Sequence, residues 1–148
     1  MEANKASITA EMMARNRAAE HLLVPADERI CNDPYAHHFI SAEAVRIMRS
    51  PIRRTIRRLV FKFFYPGVYN AVIARVRFLD DRLQECLDQG LEQLVILGAG
   101  YDSRAYRFNG LARQVKVYEV DHPATQKRYS WRFELPSSSG SHFSCNSK

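Results

Sequence analysis

The sequence predicts an α/β fold, in which a helical N-terminal region precedes the first βαβ unit of a parallel sheet. Three observations predict it. Residues 1–91 show helical periodicity and helix punctuation, with no strand-like run among them. Leu94-Val95-Ile96-Leu97 then forms an apolar run too short for a helix, and it fits a buried parallel strand. A second such run, Val115-Lys116-Val117-Tyr118-Glu119-Val120, follows a short helical stretch and ends at Asp121. Only two strands can be read, so the sheet is expected to be incomplete.

Between the runs lies Gly98-Ala99-Gly100-Tyr101-Asp102-Ser103. Gly98 and Gly100 permit a sharp turn and close approach of a ligand to the backbone, where a Cβ would clash. Asp102 or Ser103 is expected to cap the helix that follows. Asp121 lies 21 residues beyond Gly100 and closes the second strand, where a carboxylate can accept both hydroxyl protons of a ribose. Gly-x-Gly alone is a weak signal and also serves as a plain strand-to-helix turn. The third glycine of the dinucleotide fingerprint is replaced by Ser103. That disfavours a pyrophosphate-bearing ligand, and with it a dinucleotide oxidoreductase, and favours an adenosyl ligand without phosphates.

Residues 97–108, Leu-Gly-Ala-Gly-Tyr-Asp-Ser-Arg-Ala-Tyr-Arg-Phe, and then Tyr118-Glu119-Val120-Asp121-His122-Pro123 resemble the leucine carboxyl methyltransferase family. Upstream, Asp33-Pro34-Tyr35-Ala36 resembles that family's Asp-Pro segment, and Ala74-Arg75-Val76-Arg77 its arginine-bearing helix. The resemblance covers roughly residues 9–128. It implies a Rossmann-like sheet and an O-methyltransferase that uses S-adenosyl-L-methionine. It further implies that Gly98 and Gly100 lie under the methionine part and that Asp121 takes the ribose hydroxyls. Arg75 would pair with the cofactor's carboxylate, with Arg17 as a second cationic contact. The expected acceptor is a carboxylate on a protein C-terminus or a small molecule. A carboxylate is already ionised near pH 7, so transfer needs no general base. No catalytic triad or metal constellation is visible, and no catalytic residue is assigned.

Taken from its start, the chain opens with a helix over 9–23, with Ile8, Met12, Met13, Ala19 and Leu22 as apolar positions and Pro25 as its end. Asp33-Pro34 is a cap with a proline at the first helical position, and 35–40 should be helical. Ser50-Pro51 repeats the device for a helix to about Phe64. The next helix spans 68–89, with Val72, Val76, Leu79, Leu83 and Leu87 as its apolar row and Gly90 as its C-cap. The pair His37-His38 is expected to turn its rings to different helix faces.

Residues 46–62 carry Arg46, Arg49, Arg53, Arg54, Arg57, Arg58 and Lys62 and no acid, more charge than the net +6 of the 148-residue chain. Met48, Ile52, Ile56 and Val60 form an apolar row beside them. The preferred reading is a solvated outer face over a buried apolar one. An anionic membrane surface or an acidic partner is the alternative, and a nucleic acid is not expected, because no aromatic platform is interleaved with the arginines. There is no 18-residue apolar run and no secretory h-region. The three cysteines, Cys31, Cys86 and Cys145, form neither a disulfide framework nor a zinc pattern, so a cytosolic setting is expected.

The chain divides into a helical region over 1–91, a cofactor-binding unit over 92–129 and a serine-rich tail over 130–148. The tail is expected to be disordered. The family-like sequence ends near Arg128, so this short form is expected to be inactive and marginally stable, or to self-associate through unpaired strand edges. The alternative function is a catalytically dead relative that serves as a binding or interaction module.

Overall fold

The structure is a computed structural model that describes residues 8–64, 67–122 and 125. The tail over 130–148 lies outside the described residues. Helix α1 spans Ile8–Leu23, a 3-10 turn Ala36–Phe39, α2 Ala42–Arg49, α3 Pro51–Phe64 and α4 Val68–Asp88. Strand β1 (Gln93–Leu97) follows, then α5 (Arg104–Arg107), α6 (Asn109–Gln114) and strand β2 (Lys116–Val120). The two strands pair in parallel, with Gln93 beside Lys116 and Leu97 beside Val120. The mixed α/β reading stands, as a mostly helical chain with one two-stranded parallel sheet among the described residues.

Of the apolar positions expected on α1, only Ala19 is fully buried. Ile8 and Met12 are exposed, whereas Ala14, Ala18 and Ala19 are buried with Asn16, Arg17 and Glu20. Alanines let the backbone of the 3-10 turn come close, and Phe39, Ile40, Ala44, Met48 and Tyr101 complete this core. Buried Glu20 accepts from the Ile30 N–H at 2.8 Å and from the Tyr69 hydroxyl of α4 at 2.5 Å.

The stretch expected to be helical at 35–40 is only a 3-10 turn. Asp33 explains its start, because Oδ1 accepts from the N–H groups of both Tyr35 and Ala36 at 3.1 Å. Within this tight turn the rings of His37 and His38 lie 3.9 Å apart, so they do not point to separate faces. Burial and then the neighbouring His38 push His37 below the usual imidazole range.

The basic segment breaks at Ser50-Pro51 as expected: α2 ends at Arg49 and α3 begins at Pro51. Ser41 starts α2 by accepting from the Ala44 N–H at 3.1 Å. Of the apolar row expected to be buried, only Met48 is; Ile52, Ile56 and Val60 are exposed. Helix α4 ends as expected, with Gly90 at a φ of 86°. The Gly90 and Leu91 N–H groups donate to Leu87 and Cys86 carbonyls at 3.0 Å, a Schellman closure. On α4, Ile73 and Leu83 are buried and Leu79 is exposed.

The sheet has one covered and one bare face. Leu94, Ile96, Val117 and Glu119 are half-buried, whereas Gln93, Val95, Leu97, Lys116 and Val120 are exposed. No helix among the described residues is long and apolar enough to cross a membrane.

Candidate functional site

The loop after β1 is built by two glycines in the left-handed region, Gly98 at a φ of 66° and Gly100 at 58°. Left-handed backbone costs an L side chain roughly 1–2 kcal/mol, which is why glycine stands at both. The loop folds across the end of β2. The Gly98 and Ala99 N–H groups donate to the Val120 carbonyl at 2.8 and 3.2 Å. The Gly100 N–H then donates to Oδ2 of Asp121. The other oxygen of Asp121, Oδ1, accepts from the His122 N–H at 2.5 Å.

Gly98, Gly100 and Asp121 thus come together at the carboxyl end of the parallel pair, where ligands of open α/β sheets bind. The two glycines differ in what surrounds them. A Cβ on Gly100 would stand 3.1 Å from the Ala10 Cβ of α1, whereas a Cβ on Gly98 would meet nothing within 4 Å. Gly100 is needed by the fold's own close approach; Gly98 faces open space.

Arg17 lies beneath the loop, not on its open side. It is buried, donates to the Tyr101 carbonyl and stands 3.2 Å from Oδ2 of Asp33. The Tyr101 ring stacks on Phe39 at 5.6 Å. Arg75 is exposed on α4, and among the described residues no hydrogen bond or ion pair holds it.

Two groups matter more than the sequence reading gave them. Asp33, read there as a cap, is fully buried and also accepts from the Ser103 hydroxyl at 2.6 Å. Ser103, met there as a gap in a glycine pattern, is therefore the side chain that ties the loop to the N-terminal region. It has no capping bond to the helix; Asp102 supplies that, its Oδ1 accepting from the Arg104 N–H at 2.8 Å. The departure from glycine at Ser103 and the Asp-Pro pair were both visible, but nothing in sequence joined them.

A second ionic cluster backs the loop. Asp80 of α4 binds Arg104 Nε at 2.8 Å and both terminal nitrogens of Arg107, at 2.5 and 2.7 Å. Burial opposes the charge on Arg107, but the Asp80 bonds outweigh it and leave that guanidinium above its ordinary value. Arg104 also binds Asp102 at 2.5 Å.

Glu119, on the covered face of β2, is pushed up to about 7 by burial and then by the charges of Asp102 and Asp121. Cys31 is buried and raised to about 11, first by burial and then by Glu20, so it stays protonated and inert at neutral pH. No cluster of His, Cys, Asp and Glu suited to a metal occurs among the described residues.

Glycine loop, parallel strands and terminal acid define the class: an α/β protein with a glycine-built loop at the carboxyl end of its sheet. The family model described as leucine carboxyl methyltransferase matches residues 10–133, and the chain belongs to that family. A relative from Mycobacterium sp. (strain MCS) is 35% identical over 102 residues, 69% of this chain and 39% of its own length. One from Mycobacterium tuberculosis (strain ATCC 25177 / H37Ra) is 34% identical over 126 residues, 82% of this chain and 40% of its own. One from Streptomyces coelicolor is 34% identical over 122 residues, 78% and 38% respectively. All three are provisionally named as S-adenosyl-L-methionine-dependent methyltransferases. The chain spans about two fifths of the length of these curated relatives.

Proposed function

We propose that the loop and strand ends form the cofactor-holding part of an O-methyltransferase site. The cofactor is S-adenosyl-L-methionine, the one for which the relatives are named, and the acceptor is a carboxylate on a protein C-terminus or a small molecule. The observation that carries this reading is the Gly100–Asp121 hydrogen bond, which holds a carboxylate against the glycine loop.

The residues present fit an adenosyl ligand. Asp121 is an acceptor-only group, and each oxygen has a lone pair beyond the one used by Gly100 or His122. It would receive the two ribose hydroxyls. Gly98 leaves the space in which the methionine part would lie. The exposed Arg75 is free to meet the cofactor's carboxylate. Arg17, committed to Tyr101 and Asp33, fixes the loop instead of reaching a ligand. When bound, the cofactor supplies an electrophilic methyl group on a sulfonium. The protein's contribution is then orientation of the acceptor oxygen and exclusion of water, which suits a site without a general base.

A second reading, an inert binding or interaction module in a cytosolic setting, is favoured by the bare sheet face. Leu97 is 77% exposed and Val95 56%, and each strand has one hydrogen-bonded neighbour among the described residues. That surface also suits self-association.

Calorimetry with S-adenosyl-L-methionine and with NAD tests the first reading. Binding of the former alone is expected. Asp121→Ala should weaken it by about 1.5–3 kcal/mol, through loss of a charged acceptor. Unchanged affinity in that variant would remove Asp121 from the site. A radiolabelled methyl-transfer assay separates the readings: binding without turnover assigns the chain to the second.

A further inference from the structure

We infer that α3 is a docking surface for an anionic lipid bilayer. Ile52, Ile56, Leu59, Val60 and Phe63 recur at steps of four and three, so they share one side of the helix. All five are exposed, Ile52 by 73% and Phe63 by 72%. Such an arc on a helix is ordinarily turned to a core. Here it is turned outward.

The charge around that arc selects the occupant. From Ala44 to Leu79 the sequence holds arginines and a lysine and no acid. Arg46, Arg49 and Arg53, at the entrance to α3, are exposed. A helix with an apolar arc flanked by cations lies in the plane of a bilayer interface, its apolar side among the acyl chains and its cations at anionic headgroups. A nucleic acid would match the arginines but leave Ile52, Ile56 and Phe63 in water. An uncharged apolar partner would match the arc but leave the cations uncompensated. The anionic lipid surface satisfies both, and it does so on a side of the chain that shares no residue with the glycine loop.

Co-sedimentation of the full chain with vesicles tests this. Vesicles of phosphatidylcholine containing phosphatidylserine should bind the chain; vesicles of phosphatidylcholine alone should not. Arg49→Gln with Arg53→Gln should weaken binding about fivefold per cation removed, and raised salt should act in the same direction. Ile56→Ser with Phe63→Ser should abolish binding while leaving the thermal melt unchanged, because those side chains touch solvent. Equal binding to both vesicle types, or to neither, overturns the proposal. So does full binding by either double variant. If Phe63→Ser instead halves the sedimenting mass of the lipid-free protein, the arc is an interface with a second copy and the proposal also fails.

Discussion

Helices α1 and α3 invert one another. Helix α1 buries Asn16, Arg17 and Glu20, whereas α3 holds Ile52, Ile56 and Phe63 in solvent. Polarity alone would have placed them the other way round. The difference lies in partners. Arg17 donates to the Tyr101 carbonyl and pairs ionically with Asp33, and Glu20 accepts from Ile30 and Tyr69, so their burial is offset. Helix α3 has no such partners for its arc among the described residues, and its principal neighbour is α2. Arg17 and Glu20 are buried where complementary groups are at hand, and the arc of α3 stays exposed although it is apolar.

The largest expected effect attacks the compensated side. Asp33→Ala removes the acceptor for Ser103, Tyr35 and Ala36 and leaves Arg17 buried beside no anion. A loss of about 3–5 kcal/mol is expected on chemical denaturation. A loss below 1 kcal/mol would mean that Arg17 is held by the Tyr101 carbonyl alone, and the contrast with α3 would weaken.

Glu119 sharpens the comparison, because it is a half-buried acid in a negative surrounding. Its folded-state value of about 7 lies above the ordinary 4.5, so the folded protein binds the proton more tightly than the unfolded chain. Its stabilising effect is therefore full below pH 4.5 and is lost as pH rises toward 7. Glu119→Gln should flatten that part of the stability–pH curve. Near pH 8 it should raise stability by on the order of 2–3 kcal/mol. A variant with the same pH slope as the parent would place the titration elsewhere.

The two glycines come next. Gly100→Ala meets both a left-handed backbone and the Ala10 Cβ, and should cost about 2 kcal/mol. Gly98→Ala shares only the backbone strain and should cost about 1 kcal/mol. Equal costs on thermal melting would show that α1 yields at Ala10. The smallest effect belongs to α3: Phe63→Ser should change stability by less than about 0.5 kcal/mol. A large loss would reveal a covered arc.

The strands and their loop were legible in sequence almost to the residue. An apolar run flanked by glycine has few alternatives, and a terminal acid fixes which end of the sheet matters. Gly98, Gly100 and Asp121 were visible for the same reason, since all three belong to one local unit. The other half of the arrangement was not legible. Nothing near Asp33 in sequence tells that its carboxylate waits for a serine 70 residues on, or that Arg17 binds a carbonyl 84 residues away. That residues 35–40 would form only a 3-10 turn was likewise not legible, whereas the break at Ser50-Pro51 was. Periodicity identified the arc of α3 but had no means of showing which way it faced.

Those separations of 70 and 84 residues also impose an order on how the chain takes shape. A ribosome releases α1 and the Asp-Pro turn long before Tyr101 and Ser103 exist. Until then the Arg17–Asp33 pair can form, but its outer bonds must be made to water. Closing loops of this length carries an entropic cost that only the finished contacts offset. The N-terminal helices are therefore expected to remain loosely formed until β1 and the glycine loop have been synthesised. The step that completes the glycine loop is the same step that locks the first helix in place.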